Sequence, residues 1–592
     1  MNKKRGFIYY NIAGLKVLFK LERKAMIVYC VLQLIHGFSF AAQVFSLQKF
    51  YDTITIYDSI EKKIVIPLYL VIMGAFFLLA QIMNGVANSY GQVLNERVQK
   101  GLNGILYKRI ALMNSDEFEH PQRLDTINKA VNGCQAVFWV STALLDIIFF
   151  YLSYFGMMSY CLFKMQPILG FSVILAFIPN VISYFIHMVS FRKLENQVAP
   201  MRRKNDAYIS YMTGKEYVKE TRNLGLYHFF EDKYKKVMVE MNKLTMKIQY
   251  RKGIIDVVVC ILTMLFYGSI IFMAYQFTLS NRISPGSFAA VLVSLRQFYG
   301  FMYELIEERF AWASQNVISI ENYLKCVEGY QIRPESIYYE KGTKVEFHDI
   351  SFSYPSVERK ALDISYLEIP FGQTIALVGE NGSGKSTLCS IIEGLYSPDK
   401  GEIYYTQNNK RHSIIGKKRN GISAVFQKYM QYRMTIRENI VISDNSQKKG
   451  DIKEICEDVG IKLDNNGVEA MLGKEFGGIE LSGGQWQRVA LARGVYRDCN
   501  MIIMDEPTSA IDPIEESMIF EKIYEYAKDK TAIIVTHRMA LARLADRILV
   551  MKNGKIVQDG SHNELISVEG EYQKLYQTQM QWYVDSSYTE SK

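Results

Sequence analysis

The sequence predicts a chain in two parts: an all-α membrane domain of six helices, then an α/β domain built on a parallel sheet. Three observations lead there. Apolar runs long enough to cross a bilayer recur up to about residue 310 and then stop. After about 345, short apolar strands alternate with helix starts, as in a soluble α/β domain. Basic residues crowd alternate connecting segments, the pattern that places those segments in the cytoplasm. The 592 residues give room for both parts, and a mean hydropathy of −0.01 averages a membrane half with a soluble one.

Residues 1–24 form a cytoplasmic N-terminal segment with seven Lys/Arg and one acidic residue. It has no signal-peptide core or A-x-A site, so no cleavage is expected. A membrane domain over 25–325 follows, with spans near 25–48, 64–90, 137–163, 167–190, 254–278 and 286–308. Asn84 and Asn88 interrupt the second span, Asp146 the third, and Pro179 and His187 the fourth. The segment 191–253 holds fifteen Lys/Arg, whereas "KMQP" and "TLSNRISPGS" are short and poor in basic residues. That asymmetry puts the N-terminus, the long loops and the C-terminal half in the cytoplasm. The net charge of +9 belongs to this bias and does not point to nucleic acid as a partner. The long cytoplasmic segments 91–136 and 191–253 contain "RLDTINKAV" and "TGKEYVKETRNLGL", which suit helices extending beyond the bilayer. The eight cysteines are scattered without metal-ligand spacing and read as small buried apolar residues in a reducing compartment.

A linker over 326–344 leads to the soluble domain, 345–592. There "IALVGENGSGKSTLCSII" runs from apolar strand through glycine-rich turn to helix start, and carries Gly379, Gly384, Lys385 and Ser386 in the spacing G-x-x-x-x-G-K-S. Glycines let backbone N–H groups curl around phosphates, Lys385 reaches β and γ oxygens, and the Ser386 hydroxyl can bind Mg²⁺. The loop residues Gly379, Glu380, Asn381, Gly382, Ser383, Gly384, Lys385, Ser386 and Thr387 are the expected nucleotide cradle. "MIIMDEPTSA" reads as a buried strand ending in two acids. Asp505 is placed to hold Mg²⁺ through water and Glu506 to polarise an attacking water.

With "LSGGQ" between these elements, the chain resembles the ATP-binding cassette (ABC) transporters of exporter type: six spans followed by one α/β P-loop NTPase cassette. The likeness covers nearly the whole chain. It implies that Tyr354 in "FSYP" stacks on adenine. It makes Gln427 in "AVFQ" a contact to Mg²⁺ and the lytic water, and His537 in "IIVTHR" the switch that orients Glu506. It assigns Asp512 in "SAIDP" to the D-loop, where Ile511 replaces the commoner leucine. Glu506, His537, Gln427 and Lys385 are thus the expected catalytic set, with Ser386, Gln427 and Asp505 on the metal. Ser482, Gly484 and Gln485 of the signature would clamp a nucleotide held by another chain, a small hydroxyl and backbone N–H groups at a helix start facing the γ-phosphate. That implies a dimer, with a second copy as the favoured partner and a related half-transporter as the alternative.

The resemblance also makes "IAGLKVLFKLERK" an elbow helix on the inner leaflet, and makes 114–125 and 213–220 coupling tips that dock on the cassettes. Before the signature, "GKEFGGIE" keeps Gly478 but has Phe476 where multidrug-type exporters carry glutamate, leaving Glu475 as the substitute contact. The expected function is ATP-driven export of an amphipathic compound, a bacteriocin-like or signalling peptide or a lipophilic drug, across a bacterial plasma membrane. A lipid or lipid-linked flippase is the alternative, and an ATP-gated channel or regulatory subunit the alternative of another class. The chain carries no peptidase domain before its first span and no cysteine before Cys30, which argues against a leader-cleaving exporter. Inside the spans, His36, Asn84, Asn88, Asp146 and His187 are either cargo contacts or partners in interhelical hydrogen bonds.

Overall fold

Backbone polar groups inside a bilayer must be satisfied within the segment, and the first half of the chain meets that demand as helix. The computed structural model describes residues 7–56, 59–328, 335–355, 359–408, 410–444, 451–463, 466–508, 511 and 513–587. It opens with α1 (Phe7–Leu21), over the expected elbow, whose buried Asn11, Gly14 and Leu18 share one face. The membrane helices follow as α2 (Arg23–Ile56), α3 (Ser59–Ala111), α4 (Pro121–Asp146), α5 (Leu152–Met165) and α6 (Pro167–Thr213). After the short α7 (Val218–Asn223) come α8 (Tyr227–Leu279), α9 (Pro285–Tyr303) and α10 (Ala311–Glu328). Each of the six expected spans falls within one of these helices or one continuous helical run.

Among the described residues, four stretches are long and apolar enough to cross a membrane: Arg23–Ile54, Val65–Ala111, Pro121–Met165 and Tyr227–Leu279. The other two are helical but fall outside that measure. Several α6 side chains lie outside the described residues, and the run through α9 carries Arg296 and acidic residues from Glu304. Only 6% of the apolar window of α3 is buried in the protein, so its Leu, Val and Phe side chains face outward, as a lipid-facing helix requires.

The chain divides into two compact units: residues 1–110 with 126–329, and residues 111–125 with 330–592. In the first unit, α6 runs along α8, and α2 packs on α5 and α9. Buried Tyr154, Leu169, Ile270 and Phe298 form part of the core between them. A charged group placed here needs a partner, because an isolated ion in an apolar bundle costs several kcal/mol. Asp146 has two. It accepts from Tyr29 Oη at 2.6 Å and pairs with Arg309 Nη1 at 3.4 Å, while Arg309 Nη2 reaches Glu304 at 3.4 Å. Both carriers are locally underwound: π-helical turns span Ile147–Tyr151, just after Asp146, and Glu304–Phe310, around Arg309. Asn84 and Asn88 bond to each other along one helix, and His36 packs against the rings of Phe40 and Phe150. The His187 side chain lies outside the described residues.

In the second unit, β1 (Ser336–Tyr338) pairs in parallel with β7 (Lys418–Asn420). An antiparallel sheet runs β3-β2-β5-β6, from β2 (Lys344–Phe352), β3 (Leu362–Ile369), β5 (Lys400–Gln407) and β6 (Lys410–Ser413). The main sheet has six strands in the order β12-β11-β4-β10-β9-β8, parallel except where β12 meets β11. They are β4 (Thr374–Gly379), β8 (Ile422–Val425), β9 (Met501–Asp505), β10 (Thr531–Val535), β11 (Arg547–Lys552) and β12 (Lys555–Gly560). Strands covered on both faces must be apolar throughout, and every residue of β10 and the first four of β9 are buried. The helices are α11 (Lys385–Glu393), α12 (Ile436–Val441), α13 (Ile452–Asp458), α14 (Gly483–Tyr496), α15 (Pro513–Ala527), α16 (Met539–Ala542), α17 (His562–Ser567) and α18 (Glu571–Ser587). Residues 111–125 belong to this unit: a 3₁₀ turn at Ser115–Phe118 precedes Glu119, whose Oε1 accepts from Tyr396 Oη at 2.8 Å. The other expected tip, 213–220, groups with the first unit.

The buried ion pair generates a test. Arg309→Met leaves Asp146 without its cation and should destabilise the detergent-solubilised protein by about 3 kcal/mol. Asp146→Asn added to Arg309→Met should restore most of that loss, as read by thermal unfolding.

Candidate functional site

Three strand ends meet at one edge of the main sheet. β4 ends in Gly379, β9 in Asp505 and β10 in Val535, and Val535 pairs with both Leu377 and Asp505. Open parallel sheets bind ligands at this carboxyl edge. A cleft of about 370 Å³ opens there, lined by Tyr354, Asn381, Gly382, Gly384, Lys385, Ser386, Thr387, Gln427, Glu506 and His537 among the residues expected from sequence.

The turn after β4 can exist only with glycine at two of its positions. Gly379 has φ 147° and a Cβ there would sit 2.2 Å from the Met551 carbonyl oxygen; Gly384 has φ 104° and would meet Ala361 O at 2.6 Å. Gly384 then caps α11, which aims its N-terminal N–H groups into the cleft. Lys385 is buried and donates to the carbonyls of Gly379 and Glu380, both at 2.9 Å. Burial holds its ammonium below the ordinary lysine range, with Glu506 and Asp505 opposing that shift. Ser383 is buried under the loop, and its hydroxyl has no hydrogen-bond partner among the described residues. Tyr354 Oη lies 3.0 Å from Thr387 Oγ1, and its ring meets those of Phe352 and Tyr396 edge-on.

Glu506 is the most constrained residue in the cleft. Its φ is 49°, a left-handed conformation that costs a non-glycine residue on the order of 1–3 kcal/mol. Main-chain bonds hold it there: Glu506 N donates to Val535 O at 3.1 Å, and its carbonyl accepts from Gln487 Nε2 at 3.1 Å. The carboxylate sits between two side chains. Oε2 accepts from Gln427 Nε2 at 2.8 Å, and Oε1 lies 2.7 Å from His537 Nε2. Next to it, Asp505 is hydrogen-bonded by Ser386; burial pushes its carboxyl up, and that bond opposes the shift.

This oxygen set fits a magnesium ion. Ser386 and Asp505 are adjacent, and Gln427 keeps its carbonyl oxygen after its amide nitrogen has gone to Glu506. A hard cation that takes few protein ligands and keeps phosphates and waters suits such a set.

The signature stands apart. Ser482, Gly484 and Gln485 do not line the cleft. Ser482 caps α14 in a capping box: its Oγ accepts from Gln485 N at 3.3 Å, and its N donates to Gln485 Oε1 at 2.9 Å. Upstream, Phe476 is 61% exposed, and Glu475 lies 4.0 Å from Arg433 Nε. Asp512 lies outside the described residues. Sequence reasoning missed several neighbours: Arg359 and Lys360 on the cleft rim, Gln487 on the Glu506 carbonyl, and Glu516, which accepts from Thr508 and pairs with Arg538. Arg359 and Lys360 were readable as a basic pair soon after "FSYP". Gln487 carried no such signal, because its contact depends on α14 packing against β8 in the main sheet.

Behind the cleft, Glu393 ends α11 nearly buried, one carboxylate oxygen without a partner among the described residues; burial pushes its pKa up to about 8, with the Asp505 charge adding to the shift. The folded state therefore keeps a proton that the unfolded chain releases, so stability falls as pH rises from about 4.5 towards 8. Thermal unfolding of the nucleotide-free protein should show this loss between pH 5 and 8, and Glu393→Gln should reduce it.

Comparison with known proteins agrees with this geometry. The ABC transporter transmembrane region family matches residues 26–302, and the ABC transporter family matches residues 362–509. The subtilin transport ATP-binding protein of Bacillus subtilis is 26% identical over 578 residues, 95% of this chain and 92% of its own. The nisin transport ATP-binding protein of Lactococcus lactis subsp. lactis is 26% identical over 587 residues, 95% of each. The ATP-dependent lipid A-core flippase of Escherichia coli (strain K12) is 36% identical over 240 residues, 40% of this chain and 41% of its own. A bacterial Atm1-family ABC exporter with ATP bound shares the fold, with a TM-score of 0.72 over 95% of this chain and 99% of its own at 18% identity. With its membrane helices and its ATP-binding cleft in one polypeptide, the chain belongs to the ABC transporters, as an exporter-type half-transporter that hydrolyses ATP to drive transport.

Proposed function

We propose that the protein exports an amphipathic peptide of the bacteriocin class from the cytoplasm across a bacterial plasma membrane, working as a homodimer. The carrying observation is coverage. The subtilin and nisin transport proteins align over 95% of this chain, membrane half included, whereas the flippase match covers 40%. Flipping of a lipid remains the second reading, favoured by the higher 36% identity within that shorter match.

In the cleft, Lys385 neutralises phosphate oxygens and Tyr354 packs on the base. Glu506 orients and deprotonates the attacking water, and His537 and Gln427 hold its carboxylate from both sides. Ser386, Asp505 and Gln427 would hold Mg²⁺, which would supply charge neutralisation to the phosphates. Ser482, Gly484 and Gln485 close the partner's nucleotide, with Asp512 assigned beside it. Support for the trans arrangement comes from the distribution of the motifs: the signature helix caps itself outside the cleft of its own chain. The tip at 213–220 would dock on the partner's cassette, as the 111–125 tip docks on its own.

Two measurements test these readings. Glu506→Gln should bind ATP normally and lose hydrolysis by about 10²-fold or more; normal turnover would remove Glu506 from the general-base role, and hydrolysis by a monomeric fraction would overturn the dimer. In nanodiscs, a bacteriocin-type amphipathic peptide should stimulate the ATPase and accumulate in inverted vesicles with ATP. Stimulation by lipid alone, without peptide uptake, would select the flippase.

A further inference from the structure

The switch histidine is held from an unexpected direction, the last described helix, α18. His537 follows β10 in a short turn before α16. Gln579, on α18, grips both sides of that turn with one amide. Its Oε1 accepts from Met539 N at 2.9 Å, and its Nε2 donates to the carbonyl of His537. Only this orientation of the amide satisfies both main-chain groups. Helix α18 is firmly seated. Tyr572 is fully buried against Val378, Met539 and Ala542, Leu575 and Tyr576 pack on the same cluster, and Tyr572 N donates to Gln558 Oε1 at 2.8 Å. Residues 572, 575 and 579 recur at helical spacing on one face, so the packing that seats the helix also delivers Gln579 to the turn.

We infer that Gln579 is a positioning residue for ATP hydrolysis: by clamping residues 537–539 it fixes His537, and through the 2.7 Å contact of His537 with Glu506 it fixes the carboxylate that faces the attacking water. The turn's other ties leave this task open. Arg538 N donates to Thr536 Oγ1 and Arg538 pairs with Glu516, but neither bond restrains the carbonyl of His537. Helix α18 thereby reports on the catalytic cleft: a change in its seating changes the aim of His537. The inference rests on the reading of His537 as the residue that positions Glu506.

The test uses the full-length protein in nanodiscs. Gln579→Met keeps the side-chain length and apolar contacts but removes both amide bonds; Gln579→Glu keeps the acceptor to Met539 and loses the donor to His537. Each should lower kcat about tenfold, equivalent to about 1.4 kcal/mol of barrier, with the KM for ATP within twofold of wild type. In single-turnover assays, Gln579→Met added to His537→Ala should cost nothing further, because the clamp then has no imidazole to aim. A wild-type kcat in both Gln579 variants, or an equal tenfold loss in the His537→Ala background, overturns the inference. Full activity of His537→Ala alone would instead overturn the reading on which it rests.

Discussion

The working half of this protein depends on the register of one central strand. β10 lies between β4 and β9, and Val535 pairs with Leu377 on one side and Asp505 on the other. These ladders are buried in an apolar core, where every main-chain polar group must be paired, so the register cannot slip without exposing unpaired amides. One consequence is geometric. The glycine-rich turn after β4, the acidic pair and His537 all emerge at the same edge, although some 160 residues of chain separate the first from the last.

That rigidity holds a strained residue in place. Glu506 sits in a left-handed conformation that its own side chain disfavours, and contacts from three elements keep it there: Val535 on β10, Gln487 on α14 and the His537 turn. α14 therefore has two duties. Its first turn presents Ser482 away from the cleft, and one turn later its Gln487 steadies Glu506 inside it. In the proposed dimer, a shift of this helix against the partner would reach Glu506 through Gln487.

The membrane half solves the opposite problem. Its helices leave apolar faces exposed and bury Asp146 and His36 between them. Asp146 had two sequence readings, cargo contact or interhelical bond. Its bonds to Tyr29 and Arg309 tie three helical runs together, as the second reading describes. The π-helical turns beside both partners insert the extra residue that lets these side chains meet.

Much of this was legible in the sequence because it depends on local pattern. Apolar length marked the helices, β-rich apolar runs marked β4, β9 and β10, and glycine spacing marked a turn where Gly379 and Gly384 have no room for a side chain. The sequence by itself determined the order of the elements and the chemistry of the glycine-rich turn, whereas the separation of Ser482 from its own cleft followed only from the family resemblance. Only the tertiary structure decided what depends on contacts across long loops: the strand order, the left-handed Glu506, the Asp146–Arg309 pair 163 residues apart, and the grip of Gln579 on His537 across 42 residues. Patterns of two or four residues encode helix and strand, but no such period links residues that meet only after the chain has packed.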